Sequence, residues 1–120
     1  MKKKLIPSEN ADGKLLTKWL LANGYFFVHI PNEIIGMVSH ELASHLRSVG
    51  VGAVPGAPDY MIVLKRSRQV AFIELKRCAG GVVSPAQHLW LDTLTSGGTP
   101  AKVCEGFFAA RQQIEDWENG

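Results

Sequence analysis

The chain has 120 residues, 46% hydrophobic and 20% charged, a balance that suits one globular domain spanning 1–120 and excludes a second core. Its formal net charge of +2 is too mild for nucleic-acid binding through overall charge, so any such role needs a local basic surface. No apolar run reaches the length of a membrane span, and Met1-Lys2-Lys3-Lys4 leads into Leu5-Ile6-Pro7 rather than a signal-peptide core. A cytoplasmic protein without signal peptide or transmembrane segment is expected.

In chain order, Ser8 is placed to cap a helix running to about Asn23, with Leu15, Leu16, Trp19 and Leu20 as its apolar stripe and Asn23-Gly24 as its stop. The aromatic and β-branched run 25–30, closed by Pro31, reads as a strand. A second helix is predicted over 39–49; its Leu42, Leu46 and Val49 suit a dimer face or ordinary core packing equally well. The glycine- and proline-rich stretch 50–58 reads as a shaped loop that delivers Asp59.

Two strands follow, over 59–64 and 70–76, joined by a polar turn around Arg66-Ser67-Arg68-Gln69. Gly80-Gly81 gives an exit, and Ser84-Pro85-Ala86-Gln87 opens a helix through Leu94, with Ser84 as cap, Pro85 at the first helical position and Gln87 able to close a capping box. A strand over 101–104 and a closing helix over 107–117 complete the pattern. The strand-helix-strand crossover packs parallel while the hairpin packs antiparallel, so an α/β fold with a mixed central sheet flanked by helices is predicted.

Chemistry concentrates in Asp59, Glu74 and Lys76. Two carboxylates are hard oxygen donors for Mg²⁺, and an ammonium beside them can serve an attacking water or a developing negative charge, a combination suited to phosphodiester hydrolysis. Glu74 and Lys76 are two residues apart and leave the same face of their strand, about 7 Å apart along it. A turn centred between Ser67 and Arg68 sets Asp59 opposite Lys76 and on that same face, whereas a register shift of one turns Asp59 away. Charges in a strand that otherwise reads as buried are expensive unless paired or metal-bound. Gln87 has two readings of equal weight, a capping-box partner or a side chain turned toward the acids. Lys65, Arg66, Arg68, Lys76 and Arg77 read as a basic cluster near the acids, and Lys2-Lys3-Lys4 as a solvated terminus.

The strings Val54-Pro55-Gly56-Ala57-Pro58-Asp59, Phe72-Ile73-Glu74-Leu75-Lys76 and Ser84-Pro85-Ala86-Gln87 resemble those of the PD-(D/E)XK nucleases, and more narrowly the VRR-NUC branch in its stand-alone phage and bacterial form. The resemblance extends from Glu9 to the last helix, includes the loop Pro31-Asn32-Glu33, and implies a restriction-endonuclease-like core. It further implies Asp59, Glu74 and the Leu75 carbonyl as ligands of Mg²⁺ or Mn²⁺, Lys76 as the residue that positions or activates water, and Gln87 as a fourth-motif residue. Glu9 is similar in placement to an acid that can join the metal site, although a negative charge in a helix's first turn explains it as well. Glu33 stands where many relatives have glycine, so either acid can be the extra one. The arginine pair that gave the branch its name is replaced by Met61-Ile62-Val63.

Other constellations are weaker. Cys78 and Cys104 have no ligand spacing and read as reduced thiols; His29, His40, His45 and His88 form no metal-binding repeat; Ser8, Ser39, Ser44 and Ser84 lack a nucleophile elbow; and the glycines of 50–56 lack the Lys-Ser/Thr ending of a phosphate-binding loop. The expectation is a Mg²⁺- or Mn²⁺-dependent DNA endonuclease in a bacterial or phage-infected cell. Stand-alone members resemble Holliday-junction resolvases, which implies four-way-junction DNA and a homodimer. A flap or nicking repair nuclease is the alternative with the same chemistry, and a catalytically silent nucleic-acid-binding module is the alternative without it.

Overall fold

A computed structural model describes residues 9–30, 40–49, 54–77 and 81–120. The predicted Ser8 cap, Lys2-Lys3-Lys4, the loop Pro31-Asn32-Glu33, Ser39, residues 50–53 and Cys78 lie outside these, as does the Glu9 side chain.

Among the described residues the elements are α1 (Glu9–Ala22), β1 (Phe26–His29), α2 (His40–Ser48), β2 (Tyr60–Val63), β3 (Val70–Lys76), α3 (Pro85–Ser96), β4 (Ala101–Glu105) and α4 (Phe107–Asn119). The strands form one sheet in the order β1-β2-β3-β4, with the first two pairings antiparallel and β3-β4 parallel. That mixed sheet follows from the local sequence, because a short polar turn can only reverse the chain between β2 and β3. The crossover through α3 returns it to run beside β3.

The core lies between one sheet face and the helices α1 and α4. Leu16 and Leu20 of α1 meet Tyr60, Ile62, Ala71, Ile73 and Leu75 of the alternating strand positions, and Ala110 and Ile114 of α4 close the layer. Leu15, expected in the same stripe, is 47% exposed, and the seam of α1 instead runs through Asp12, Leu16 and Leu20 at a spacing of four. Asp12 is buried because α4 starts at Gly106 without a side-chain cap of its own, and the Asp12 carboxylate accepts from the Phe107 N–H at 3.1 Å. An acid from one helix thereby caps the start of another.

The hairpin turn spans 65–68, with the Leu64 N–H donating to the Gln69 carbonyl at 2.9 Å and Arg68 in the left-handed region at φ 65°. Glu118 near the end of α4 binds this turn: one carboxylate oxygen accepts from the Lys65 N–H at 2.7 Å and the Tyr25 hydroxyl at 2.8 Å, the other from the Arg66 N–H at 3.0 Å. Lys65 donates to the Asn23 carbonyl and lies over the Tyr25 ring. The expected basic cluster therefore divides. Lys65, Arg66 and Arg68 belong to the turn, and only Lys76 and Arg77 stand at the opposite end of β3, about 20 Å away at strand rise.

Among the described residues α2 packs against no other element; its Leu42 and Val49 are 48% and 62% exposed and Leu46 is half-buried.

Burial opposes the charge on Glu118, but the two backbone N–H donors and the Tyr25 hydroxyl hold its carboxyl below the ordinary carboxylate range. A lowered folded-state pKa contributes stability above the unfolded value, and that stability is lost as pH falls through the folded one. Glu118→Gln is expected to cost on the order of 1 kcal/mol at neutral pH in urea unfolding, with the difference from wild type shrinking on acidification.

Candidate active site

β3 alternates between half-buried and buried positions as far as Ile73, and then Glu74, Leu75 and Lys76 are all buried. At this end the sheet is covered on both faces, by α1 and α4 on one and by the start of α3 on the other. Glu74 and Lys76 point toward α3. Glu74 is only 2% exposed and Lys76 9%, and their charged ends lie 3.5 Å apart.

Gln87 joins them. Its Nε2 donates to Glu74 Oε2 at 2.8 Å, while its Oε1 accepts from Lys76 Nζ at 3.1 Å and from the Ser84 N–H at 2.9 Å. The Ser84 hydroxyl accepts in return from the Gln87 N–H. The two readings of Gln87 are thus one arrangement: a single amide closes the capping box and holds both charged side chains of β3. Gly81 lies against the Lys76 stem, where a Cβ would come within 2.7 Å of Lys76 Cβ, while Gly80 of the predicted exit lies outside the described residues.

Asp59 reaches the site from the other strand. The observed register pairs Tyr60 with Ile73, so continuing it by one residue sets Asp59 opposite Glu74 rather than Lys76. The displacement of two residues from the expected register follows from the turn being centred between Arg66 and Ser67, and it leaves Asp59 on the predicted face because the side-chain period is two. One step further, Pro58 stands opposite Leu75. There Asp59 Oδ2 accepts from the Leu75 N–H at 2.7 Å, taking the place of a ladder carbonyl. Pro58 has no N–H, so it cannot donate to the Leu75 carbonyl.

The backbone of Asp59 is held as well, its carbonyl accepting from the Ile30 N–H at 2.6 Å. The next residue, Tyr60, is fully buried and anchors the strand to α1 through the Gly13 carbonyl and the Thr17 hydroxyl, each at 3.0 Å. Burial raises the Tyr60 phenol above its ordinary range, with the Thr17 hydrogen bond opposing and the Asp59 charge adding to the shift. Tyr60 is a structural tether.

Structure and expectation meet at Asp59, Glu74, Leu75, Lys76 and Gln87, which stand together at one end of β2 and β3. Among the described residues no group of three His, Cys, Asp or Glu side chains gathers to hold a metal. The donor set still suits a hard cation: two carboxylates and the Leu75 carbonyl lie at the same strand ends, with the oxygen chemistry that Mg²⁺ or Mn²⁺ takes. Cys104 lies apart, and burial, opposed by Lys102, pushes its thiol up to about 12. No helix among the described residues is long and apolar enough to cross a membrane.

One contact at the site was not anticipated. Trp90 lies three residues after Gln87, and its Nε1–H donates to the Val54 and Pro55 carbonyls at 3.1 and 3.0 Å. The signal was available in the spacing, since positions three apart share a helix face.

The order of elements and the mixed sheet define a restriction-endonuclease-like α/β fold. The chain belongs to the VRR-NUC domain family, a nuclease-type family whose model matches residues 10–108. A solved structure described as a VRR_NUC domain protein superposes with a TM-score of 0.71 at 22% identity, covering 98% of this chain and 91% of that one, a likeness of fold. No curated protein sequence matches the chain.

Lys76 compensates the buried Glu74 carboxylate. Lys76→Met is expected to cost about 3 kcal/mol in thermal unfolding, and the double variant Glu74→Gln/Lys76→Met less than the single one, because breaking a buried pair is worse than replacing it.

Proposed function

We propose that the chain is a Mg²⁺- or Mn²⁺-dependent endonuclease that hydrolyses phosphodiesters of branched DNA, acting as a homodimer on four-way junctions. The observation that carries this reading is the gathering of Asp59, Glu74, Lys76 and Gln87 around one strand end, with Glu74 and Lys76 held by the Gln87 amide and Asp59 by the Leu75 N–H. Family membership supports nuclease chemistry; fold alone would not.

In this reading Asp59, Glu74 and the Leu75 carbonyl hold the metal, with Glu9 or Glu33 as a further acid. The bound ion supplies charge neutralisation at the phosphate and a more acidic water. Lys76, fixed through Gln87 and the Glu74 carboxylate, presents its ammonium to the attacking water or to charge developing on the phosphate. Gln87 holds the orientation of both side chains. A domain this small covers little DNA, and paired cuts across a junction call for a two-fold dimer. The apolar side chains left exposed, Phe26 and Val28 on the edge strand β1 and Leu42 and Val49 on α2, support association of copies.

The test is cleavage of labelled four-way junction, flap and linear duplex DNA in Mg²⁺ or Mn²⁺. Paired symmetric cuts at the junction are expected, abolished by Asp59→Ala and slowed about 10²-fold or more by Lys76→Ala. Cutting of flaps and duplex at the same rate would replace the resolvase assignment with a general repair nuclease. Binding without cutting in any metal would overturn the enzyme assignment altogether.

The active-site acids make metal binding pH-dependent, because ligands must be deprotonated to coordinate. Isothermal titration of Mn²⁺ is expected to show measurable uptake at neutral pH that weakens as the pH falls, and none in Asp59→Ala/Glu74→Gln.

A further inference from the structure

We propose that Trp90 is a positioning residue: together with Gly56 and Ala86 it clasps the loop before Asp59 onto the first turns of α3, and so sets where the Asp59 carboxylate stands relative to Glu74.

The clasp has two parts. The Trp90 indole N–H is shared between two consecutive carbonyls, Val54 at 3.1 Å and Pro55 at 3.0 Å. The next residue, Gly56, has φ +100°, and a Cβ there would come within 2.6 Å of the Ala86 carbonyl carbon and 2.7 Å of its oxygen. The loop backbone therefore lies directly on the backbone of α3, at a distance and a conformation that only glycine permits. Pro58, two residues on, is fully buried, so the chain from this contact to Asp59 has little freedom.

Ala86, Gln87 and Trp90 are neighbours on the helix surface, at spacings of three and four. One face of α3 thus holds both halves of the site, Glu74 and Lys76 through the Gln87 amide and Asp59 through the loop. Since Gln87 is also locked by the capping box, α3 acts as a fixed ruler between two strand ends. Removing the Trp90 donor leaves two loop carbonyls without it, lets the loop lift from α3, and frees Asp59 to leave the Leu75 amide. Consequences for metal rest on the nuclease reading above, whereas the consequence for Leu75 does not.

The experiment uses the full chain with Trp90→Phe, which keeps an aromatic ring but no donor, and independently Gly56→Ala. Amide hydrogen exchange by NMR reads the Asp59–Leu75 bond directly. Leu75 is expected to exchange about tenfold faster or more in both variants, while Ile73 and Phe72 keep their wild-type rates. Calorimetric Mg²⁺ or Mn²⁺ affinity is expected to fall by about the same factor, as it does when groups supporting a ligand are removed. Exchange at Leu75 that changes only in step with Ile73 and Phe72 overturns the clasp, since it would mark general loosening. Unchanged metal affinity in both variants overturns its role at the site. A wild type that takes up no metal would sink the nuclease reading alone, and Leu75 exchange would still decide the clasp. Should Trp90→Phe fail to fold, Gly56→Ala answers the same question.

Discussion

The arrangement of this site depends on what happens to the Leu75 amide where β2 stops. Along β3 the odd-numbered residues face β2, and Leu64 with Gln69 and Tyr60 with Ile73 follow one register. At Pro58 the strand pairing ends, and the Leu75 N–H takes Asp59 Oδ2 as its acceptor at 2.7 Å in place of a ladder carbonyl. The same proline leaves the Leu75 carbonyl without a donor from β2. The strand end thereby becomes a place where a carboxylate stands in for a ladder carbonyl and the neighbouring Leu75 carbonyl receives no N–H from the opposite strand.

The charged pair on β3 presents the opposite problem. Glu74 and Lys76 sit where the sheet is covered on both faces, and burial of either charge alone is costly. Their mutual approach of 3.5 Å is longer than a direct charge-assisted hydrogen bond, and the Gln87 amide fills the difference by donating to one and accepting from the other. An amide suits this position because it carries a donor and an acceptor on one rigid plane; a carboxylate there would oppose Glu74, and an ammonium would oppose Lys76. The consequence is an ion pair that is ordered but not collapsed, with its geometry governed by a neutral group on a different element.

Much of this was legible before the fold was known, and the reasons differ by residue. The strands, the capped helix α3 and the facing of Asp59 with Glu74 rest on period, caps and proline, which are local signals. The register was displaced by two residues because the turn has no Asn-Gly or similar signature to centre it, yet Asp59 stayed on the correct face because only odd displacements reverse a strand. Leu15 was misplaced because an apolar stripe read from α1 alone cannot register that the uncapped start of α4 needs an acceptor, Asp12, inside that seam. The basic cluster divided because residues adjacent in a list of a hairpin's charges lie at opposite ends of its strands. Trp90 escaped for a different reason. An aromatic at helical spacing reads as core, and its polar end matters only once the carbonyls of a distant loop are placed beside it.

Hairpin, helix and loop then combine so that the two ends of the β2-β3 pair are fixed by unrelated means. At the turn, Glu118 gathers the Lys65 and Arg66 amides and the Tyr25 hydroxyl, a set of donors that only a folded α4 can meet. At the other end, Asp59 is restrained through its carbonyl by Ile30, through its carboxylate by Leu75 and through Tyr60 by α1, while Pro58 is buried behind it. Restraint from several directions is what a preorganised group requires, since a single contact leaves a rotation unspecified. It also localises sensitivity. A change at the turn acts on stability through the whole domain. A change in the loop on α3 acts on the position of one carboxylate, because the rest of the sheet is held by contacts that the loop does not share.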